Sequence, residues 1–233
     1  LIPFFIIAKQ PDLGSAVIVI APLIPLLFWV GADTFHIIFI LAPILSILTA
    51  FHIFSFTIWI GVIGIILYIY KRSLLINIYI YFGNIFLGLL SPFIWNTLTT
   101  YQQGRILVFL DISRDPLGAA YQVIQSQTAI GSGGFWGKGF GMGSQTHLKF
   151  LPEQETDFIF SVIGEEFGFL VVSIILFLFA LLILDMVQKS FKLYERFPSL
   201  VLFGIAIIFM SHVFVNIGMT VNLLPVKGLP LPF

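Results

Sequence analysis

The chain has 233 residues, 59% of them apolar and 9% charged, with zero net charge and a mean hydropathy of +1.07. A soluble domain carries about 25% charged residues, and no soluble interior of this size hides so much Phe, Ile and Leu, so membrane lipid must solvate much of the surface. The lack of a basic face excludes nucleic acid as a partner, and the lack of cysteine excludes disulfides and thiolate metal sites.

Apolar runs of about 17 to 25 residues mark membrane helices in chain order. Leu1–Ala8 reads as the end of a cut helix, and the Gly/Pro-rich stretch reaching Phe233 as a second cut end, so the chain is expected to be a fragment. Complete spans are predicted over Ser15–Gly31, Phe35–Phe51, Ile53–Tyr70 and Leu74–Trp95, then a long one ending near Leu184 and a last one over Pro198–Asn222. Pro22 and Pro25 should bend the first of these. Lys71 and Arg72 occupy one short turn, and Lys189, Lys192 and Arg196 another; basic short loops face the cytoplasm. The alternation then puts residues 96–156, the turn at 9–14 and Lys227 on the outer face. The expected architecture is all-α: one polytopic transmembrane bundle with helices over 1–95, a large extracytoplasmic loop over 96–156, and helices plus a truncated re-entry motif over 157–233.

The outer loop carries local signals of its own. Asp115-Pro116 suits an N-cap and first turn. Leu117, Tyr121, Ile124 and Thr128 then share one face, and Gly131 should stop the helix. A short helix lying on the membrane surface is expected.

Five carboxylates crowd LPEQETDFIFSVIGEEFG, residues 151–168, where the chain re-enters the membrane. A helix starting at Pro152 would put Glu153 and Asp157 one turn apart on a face shared with Glu165, about 12 Å deeper. Ionisable groups at the edge of lipid default to function. Glu153 and Glu155 read as acids capping a helix start; Asp157, followed at once by Phe158, Ile159 and Phe160, reads as functional. The pattern leaves Glu165 and Glu166 open between the two.

The stretch GSGGFWGKGFGMGS, residues 131–144, is glycine at nearly every second position. Such backbone can turn amides towards an anion, with Lys138 adding charge, yet it is no Walker loop, and it reads first as a flexible connection and second as an anion cradle. Lys227 lies in NLLPVKGLPLPF, where prolines and glycine forbid a regular helix; it either binds a phosphate or reaches up to the surface. His212, Asn216 and Thr220 recur every four residues as a polar stripe, read first as helix-to-helix hydrogen bonding and second as cavity lining.

Five segments in order, QPDLG at Gln10, DPLGAAYQVIQSQTAIGSGGFWGKG at Asp115, FLPEQETDFIFSVIGEE at Phe150, FVNIGM at Phe214 and LLPVKGLPLPF at Leu223, resemble the SEDS family (shape, elongation, division and sporulation). The GSGGFWGKG and LPVKGLPLPF wording is closer to its RodA branch than to FtsW. The resemblance implies a ten-helix protein that polymerises lipid II into glycan strands on the outer face of the bacterial cytoplasmic membrane. It maps the essential catalytic aspartate onto Asp157. Glu153, Glu165 and Glu166 become supporting carboxylate candidates. Arg105, Lys138 and Lys227 become candidates for the pyrophosphate, and His212, Asn216 and Thr220 for the cavity wall. A divalent cation, Mg2+ or Mn2+, is compatible with this chemistry, although no spacing identifies its ligands. The implied partners are a class B penicillin-binding protein and shape proteins of the elongation machinery. A lipid II flippase and a non-catalytic scaffold are the rival readings. Between QPDLG and the outer loop the chain holds about two more spans than the resemblance leads one to expect.

Overall fold

A computed structural model of the protein describes residues 4, 6–7, 13–71, 73–118, 120–147, 156–226 and 228–232. The described residues form helices and no strand, so the all-α class holds. The chain divides into two compact units, Leu27–Gln103 and the combination of Leu1–Leu26 with Gly104–Phe233.

The first unit is built from α3 (Thr34–Thr49), α4 (Ile53–Tyr70), α5 (Leu74–Leu89) and α6 (Ser91–Thr97). Asp33 caps α3 by accepting a 3.2 Å bond from the Phe35 amide. Phe35, Ala42, Ile60, Ile63, Leu67 and Ile80 make its core. Within that core the Ser46 hydroxyl donates to Asn84 Oδ1 at 2.8 Å and receives the Trp59 indole N–H at 2.9 Å. Polar links of this kind hold helices together where lipid supplies no hydrophobic drive, at roughly 0.6 kcal/mol each. Lys71 ends α4 in the left-handed conformation, φ 46°. The predicted span over Leu74–Trp95 is two helices bent by 45°, with Pro92 opening the second.

The second unit holds α1 (Leu13–Ile20), α8 (Tyr121–Gly133), α9 (Ser144–His147), α10 (Ile159–Lys192) and α11 (Arg196–Thr220). Two further helices, α2 (Leu23–Trp29) and α7 (Thr100–Leu110), run from one unit into the other. The predicted first span is broken between α1 and α2 at Ala21 and Pro22, where proline removes an amide donor. α8 packs along α10, and α10 along α11. At the end near Lys192 the Ser199 hydroxyl donates to the Ser190 carbonyl at 2.8 Å. Midway, Ser126, Ser161 and Thr220 knit three helices: Ser126 Oγ and Ser161 Oγ share a 2.7 Å bond, and Ser126 donates to the Thr220 carbonyl at 2.8 Å.

α4, α10 and α11 are each long and apolar enough to cross a membrane, and α5 with α6 makes a fourth span if the bent pair counts as one. The protein is therefore a membrane protein. α10 runs past the predicted end at Leu184 to Lys192.

Two expectations need correction. α8 begins at Tyr121, after Asp115 and Pro116 have formed a separate turn, and it passes through Gly131 to end at Gly133, with Gly134 (φ 59°) as its cap. Its buried face is Val123, Ser126, Ala129 and Gly133, whereas Leu117 is 90% exposed. Small residues decide this, because a Cβ on Gly133 would collide with the Gly164 carbonyl. Close backbone approach, more than apolar area, sets helix contacts in lipid. The second correction concerns α10, which starts at Ile159, so Asp157 lies in the preceding turn instead of on a helical face shared with Glu165.

Candidate functional site

Asp157 sits where the chain turns into α10, half-buried. The neighbouring Phe158 ring is 1% exposed and packs with Val123 of α8, Val226 and Ile112. Asn216 of α11 donates through Nδ2 to two carbonyls, Asp157 at 2.9 Å and Leu229 at 2.7 Å. One amide thus pins the Asp157 turn to the irregular segment at 225–232. That segment crosses in front of the carboxylate: a Cβ on Gly228 would lie 3.3 Å from Asp157 Oδ2. Glycine at 228 lets the backbone come this close. Asn216 is fully buried, and its Oδ1 has no hydrogen-bond partner among the described residues.

The same segment meets a cation from the other side. Arg105 of α7 donates from Nη1 to the Val226 carbonyl at 2.9 Å and lines a small pocket with Val108, Phe109, Val123, Asn222 and Pro225. Lys227 lies outside the described residues, between Val226 and Gly228. His212 Nδ1 stands 3.3 Å from the Pro230 carbonyl, and the buried Thr220 hydroxyl bonds within α11 to Ile217 at 2.8 Å. Asn216 and His212 therefore fasten the segment around Leu229 and Pro230, and Asn216 alone of the stripe also holds the Asp157 turn. Irregular backbone at membrane depth needs its polar groups met by protein in this way.

A second cluster surrounds Glu165, whose side chain is 0% exposed. Its Oε1 accepts from Lys138 Nζ at 2.7 Å, Ser144 Oγ at 3.1 Å and the Gln145 amide at 3.1 Å. Lys138 is thereby placed in an ion pair. Below it α10 is broken at Gly168, φ 72° and ψ −174°, which frees two carbonyls and two amides. The glycine-rich loop takes up all four. Lys138 N and Gly139 N donate to the Glu165 and Glu166 carbonyls at 3.0 and 2.9 Å, while Phe169 N and Leu170 N donate to the Gly134 and Phe135 carbonyls at 2.9 and 3.2 Å. A Cβ on Gly137 would strike the Glu166 carbonyl, and one on Gly168 the Gly137 amide. The loop is a patch for a broken helix, and the 138 and 139 amides are spent on that patch instead of facing an anion. Glu166 is buried beside it; Glu153 lies outside the described residues.

The structure thus brings Asp157, Asn216 and Arg105 to one segment, and Lys138 and Glu165 to another contact. Among the described residues no three of His, Cys, Asp and Glu converge to hold a metal ion, and no step is assigned to one. Sequence reasoning missed the break in α10 and its patch. The available signal was Gly168 inside a long apolar helix, paired with an unusually glycine-dense loop.

The sequence model of the FtsW/RodA/SpoVE family, described as cell cycle proteins, matches residues 54–233. Peptidoglycan glycosyltransferase MrdB of Escherichia coli K12 is 46% identical over 142 residues, 60% of this chain and 38% of that protein. A probable peptidoglycan glycosyltransferase FtsW of Thiomicrospira cyclica is 34% identical over 239 residues, covering 100% of this chain and 50% of that one. Stage V sporulation protein E of Bacillus subtilis is 32% identical over 99% of this chain and 50% of its own length. A solved structure reported as "Structural coordination of polymerization and crosslinking by a peptidoglycan synthase complex" matches with a TM-score of 0.58 and 27% identity, over 97% of this chain and 50% of that one. The chain spans half or less of the length of these relatives.

Proposed function

This chain belongs to the FtsW/RodA/SpoVE family, and from that premise we propose that the protein carrying it is a peptidoglycan glycosyltransferase, polymerising lipid II at the outer face of the cytoplasmic membrane. The relatives named as peptidoglycan glycosyltransferases support the reaction class. The carrying observation within this chain is the Asp157 carboxylate, held against Gly228 by the double clamp of Asn216.

In the proposed reaction the sugar 4-hydroxyl of one lipid II attacks the anomeric carbon of the other glycan with inversion. Asp157 takes the hydroxyl proton as the new C–O bond forms, and the bond to the lipid pyrophosphate breaks, releasing that group as an anion. A well-placed general base contributes about 10²- to 10⁴-fold. Arg105, anchored on Val226, and Lys227 next to it in sequence supply positive charge for the departing pyrophosphate. The charge of Lys138 is taken up by Glu165, so this pair serves as the brace that holds the outer loop on α10. Asn216 positions Asp157. The proposed partners are a class B penicillin-binding protein, in keeping with the synthase complex of the structural relative, and shape proteins of the elongation machinery.

The test is the pH–rate profile of strand formation for wild type, Asp157→Glu and Asp157→Asn. The reading expects an acid limb that shifts in Asp157→Glu and activity lost in Asp157→Asn while the protein stays inserted. Full activity of Asp157→Asn would overturn it.

A further inference from the structure

Outside the Asp157 site, the least expected surface of the molecule is aromatic. Phe135, Trp136, Phe140 and Met142 of the glycine-rich loop, with Phe167 and Phe169 of α10, are all exposed. Their rings meet in two groups, both of which join the loop to α10: Phe135 with Trp136 at 5.1 Å and with Phe169 at 6.1 Å between ring centroids, and Phe140 with Phe167 at 6.1 Å. Trp136 is 77% exposed and Phe140 83%. In water such a patch is a liability.

Three observations say what covers it. Much of the loop's polarity is taken up by protein. Lys138 is the one ionisable residue between Gly131 and Ser144, and its ammonium is turned onto Glu165. The amides of Gly137, Lys138, Gly139 and Met142 all donate to protein carbonyls. Irregular backbone satisfied in this way is tolerated at membrane depth.

The exposed rings also lead into the exposed apolar side of α10. From Phe169 that side runs through Ile174, Phe177 and Leu181, all exposed, in a helix whose most apolar window has 11% of its residues buried by protein.

The third observation is a ruler. Lys189 and Lys192 mark one end of α10. Gly168 lies 21 residues before Lys189, about 32 Å at 1.5 Å per residue, against a hydrocarbon thickness of about 30 Å. The break and its aromatic patch therefore fall at the opposite membrane boundary, the depth at which Trp side chains concentrate. The part of α10 beyond that boundary, including Phe160, Ser161, Gly164 and Glu165, is buried in protein.

We propose that residues 135–142 form a membrane-interface anchor: the loop dips its aromatic tip into the headgroup and upper acyl layer of the bilayer and so holds the broken end of α10 at a fixed depth. The occupant of the patch is lipid. The loop is thus a wedge between two layers, hydrogen-bonded to α10 on its inner side and solvated by lipid on its outer side. This assignment is independent of the chemistry at Asp157.

The chain has no cysteine, which makes single nitroxide labels straightforward. The labelled variants are Trp136→Cys, Phe140→Cys and, as a reference in an exposed turn, Glu195→Cys. Each is placed in nanodiscs of phosphatidylcholine and phosphatidylglycerol at one protein per disc, and collision rates are measured with oxygen and with a water-soluble nickel chelate. The anchor predicts an oxygen-to-nickel ratio at 136 and 140 several-fold above that at 195. A ratio equal to that at 195 would overturn it, placing the loop in water. Exclusion of both reagents would overturn it too, because protein would then cover the patch. A measurement without labels guards against a misfolded variant: with Trp29, Trp59 and Trp95 replaced by Phe, the emission of Trp136 should be quenched most by lipids brominated near the headgroup end of the chain, and indifference to brominated lipid would count against the anchor.

Discussion

The Lys138–Glu165 pair offers a prediction in which the two partners are not equivalent. Glu165 is 0% exposed, whereas the Lys138 side chain is 28% exposed and can reach water. Lys138→Met removes the 2.7 Å ammonium contact and leaves the enclosed carboxylate with Ser144 Oγ and the Gln145 amide, each at 3.1 Å, and Ser132 Oγ at 3.5 Å. Removing one member of a buried pair costs about 3–5 kcal/mol, and these remaining donors put this case at the lower end. Glu165→Gln keeps an acceptor oxygen for the same donors, and the freed ammonium turns outward. Its loss is the difference between a charge-assisted and a neutral bond, about 1–2 kcal/mol. The pair braces the loop, so the loss appears as local opening, read by hydrogen exchange of the Lys138 and Gly139 amides that bond to α10. Exchange over residues 134–140 should accelerate about 10²- to 10³-fold in Lys138→Met and roughly 10-fold in Glu165→Gln. The double variant should fall well below the sum. Equal acceleration in the two single variants, or a larger one in Glu165→Gln, would refute the buried-anion reasoning.

Gly168→Ala should unseat the same loop by another route. Its φ of 72° with ψ −174° lies in a region that only glycine occupies at ease, so the strain is about 1–3 kcal/mol, and the added Cβ faces the Gly137 amide; limited proteolysis at 134–142 should rise. Asn216→Leu removes two hydrogen bonds of nearly conserved side-chain volume, from Asp157 O and Leu229 O. It should lower thermal stability by about 2 kcal/mol and reduce kcat for strand formation more than it changes KM, with Asn216→Gln recovering part of the loss. An unchanged kcat would remove Asn216 from its positioning role.

Much of the helical pattern was legible because lipid makes a simple demand on sequence. Ile53–Tyr70 was read at its observed limits, since an apolar run there is bounded by His52 and by Lys71 in a left-handed cap. The grouping of Asp157 with Glu165 was not legible, because it assumed a helix beginning at Pro152, while the structure turns at 156–158. The face of α8 was misread for a related reason: periodicity weighs apolar side chains, and the close contacts with α10 are Ser126 on Ser161, Gly133 on the Gly164 carbonyl and Ile130 beside Gly164. The stripe of His212, Asn216 and Thr220 was seen as polar and inward, but its partners were invisible, since they are main-chain carbonyls of a segment with no periodicity. The glycine-rich loop hid its role most completely. Its amides satisfy a break some thirty residues later in the chain, and only the pairing of Gly137 with Gly168 discloses the fit.

Glycan-strand formation from labelled lipid II tests whether Asp157 is the base of a glycosyltransferase. The full protein carrying this sequence is combined with the proposed class B penicillin-binding protein, with wild type and Asp157→Asn run side by side and insertion confirmed for both. Wild type should make strands and Asp157→Asn none. Translocation of lipid II across the bilayer without strands from either, or strands from both, would overturn the assignment of Asp157.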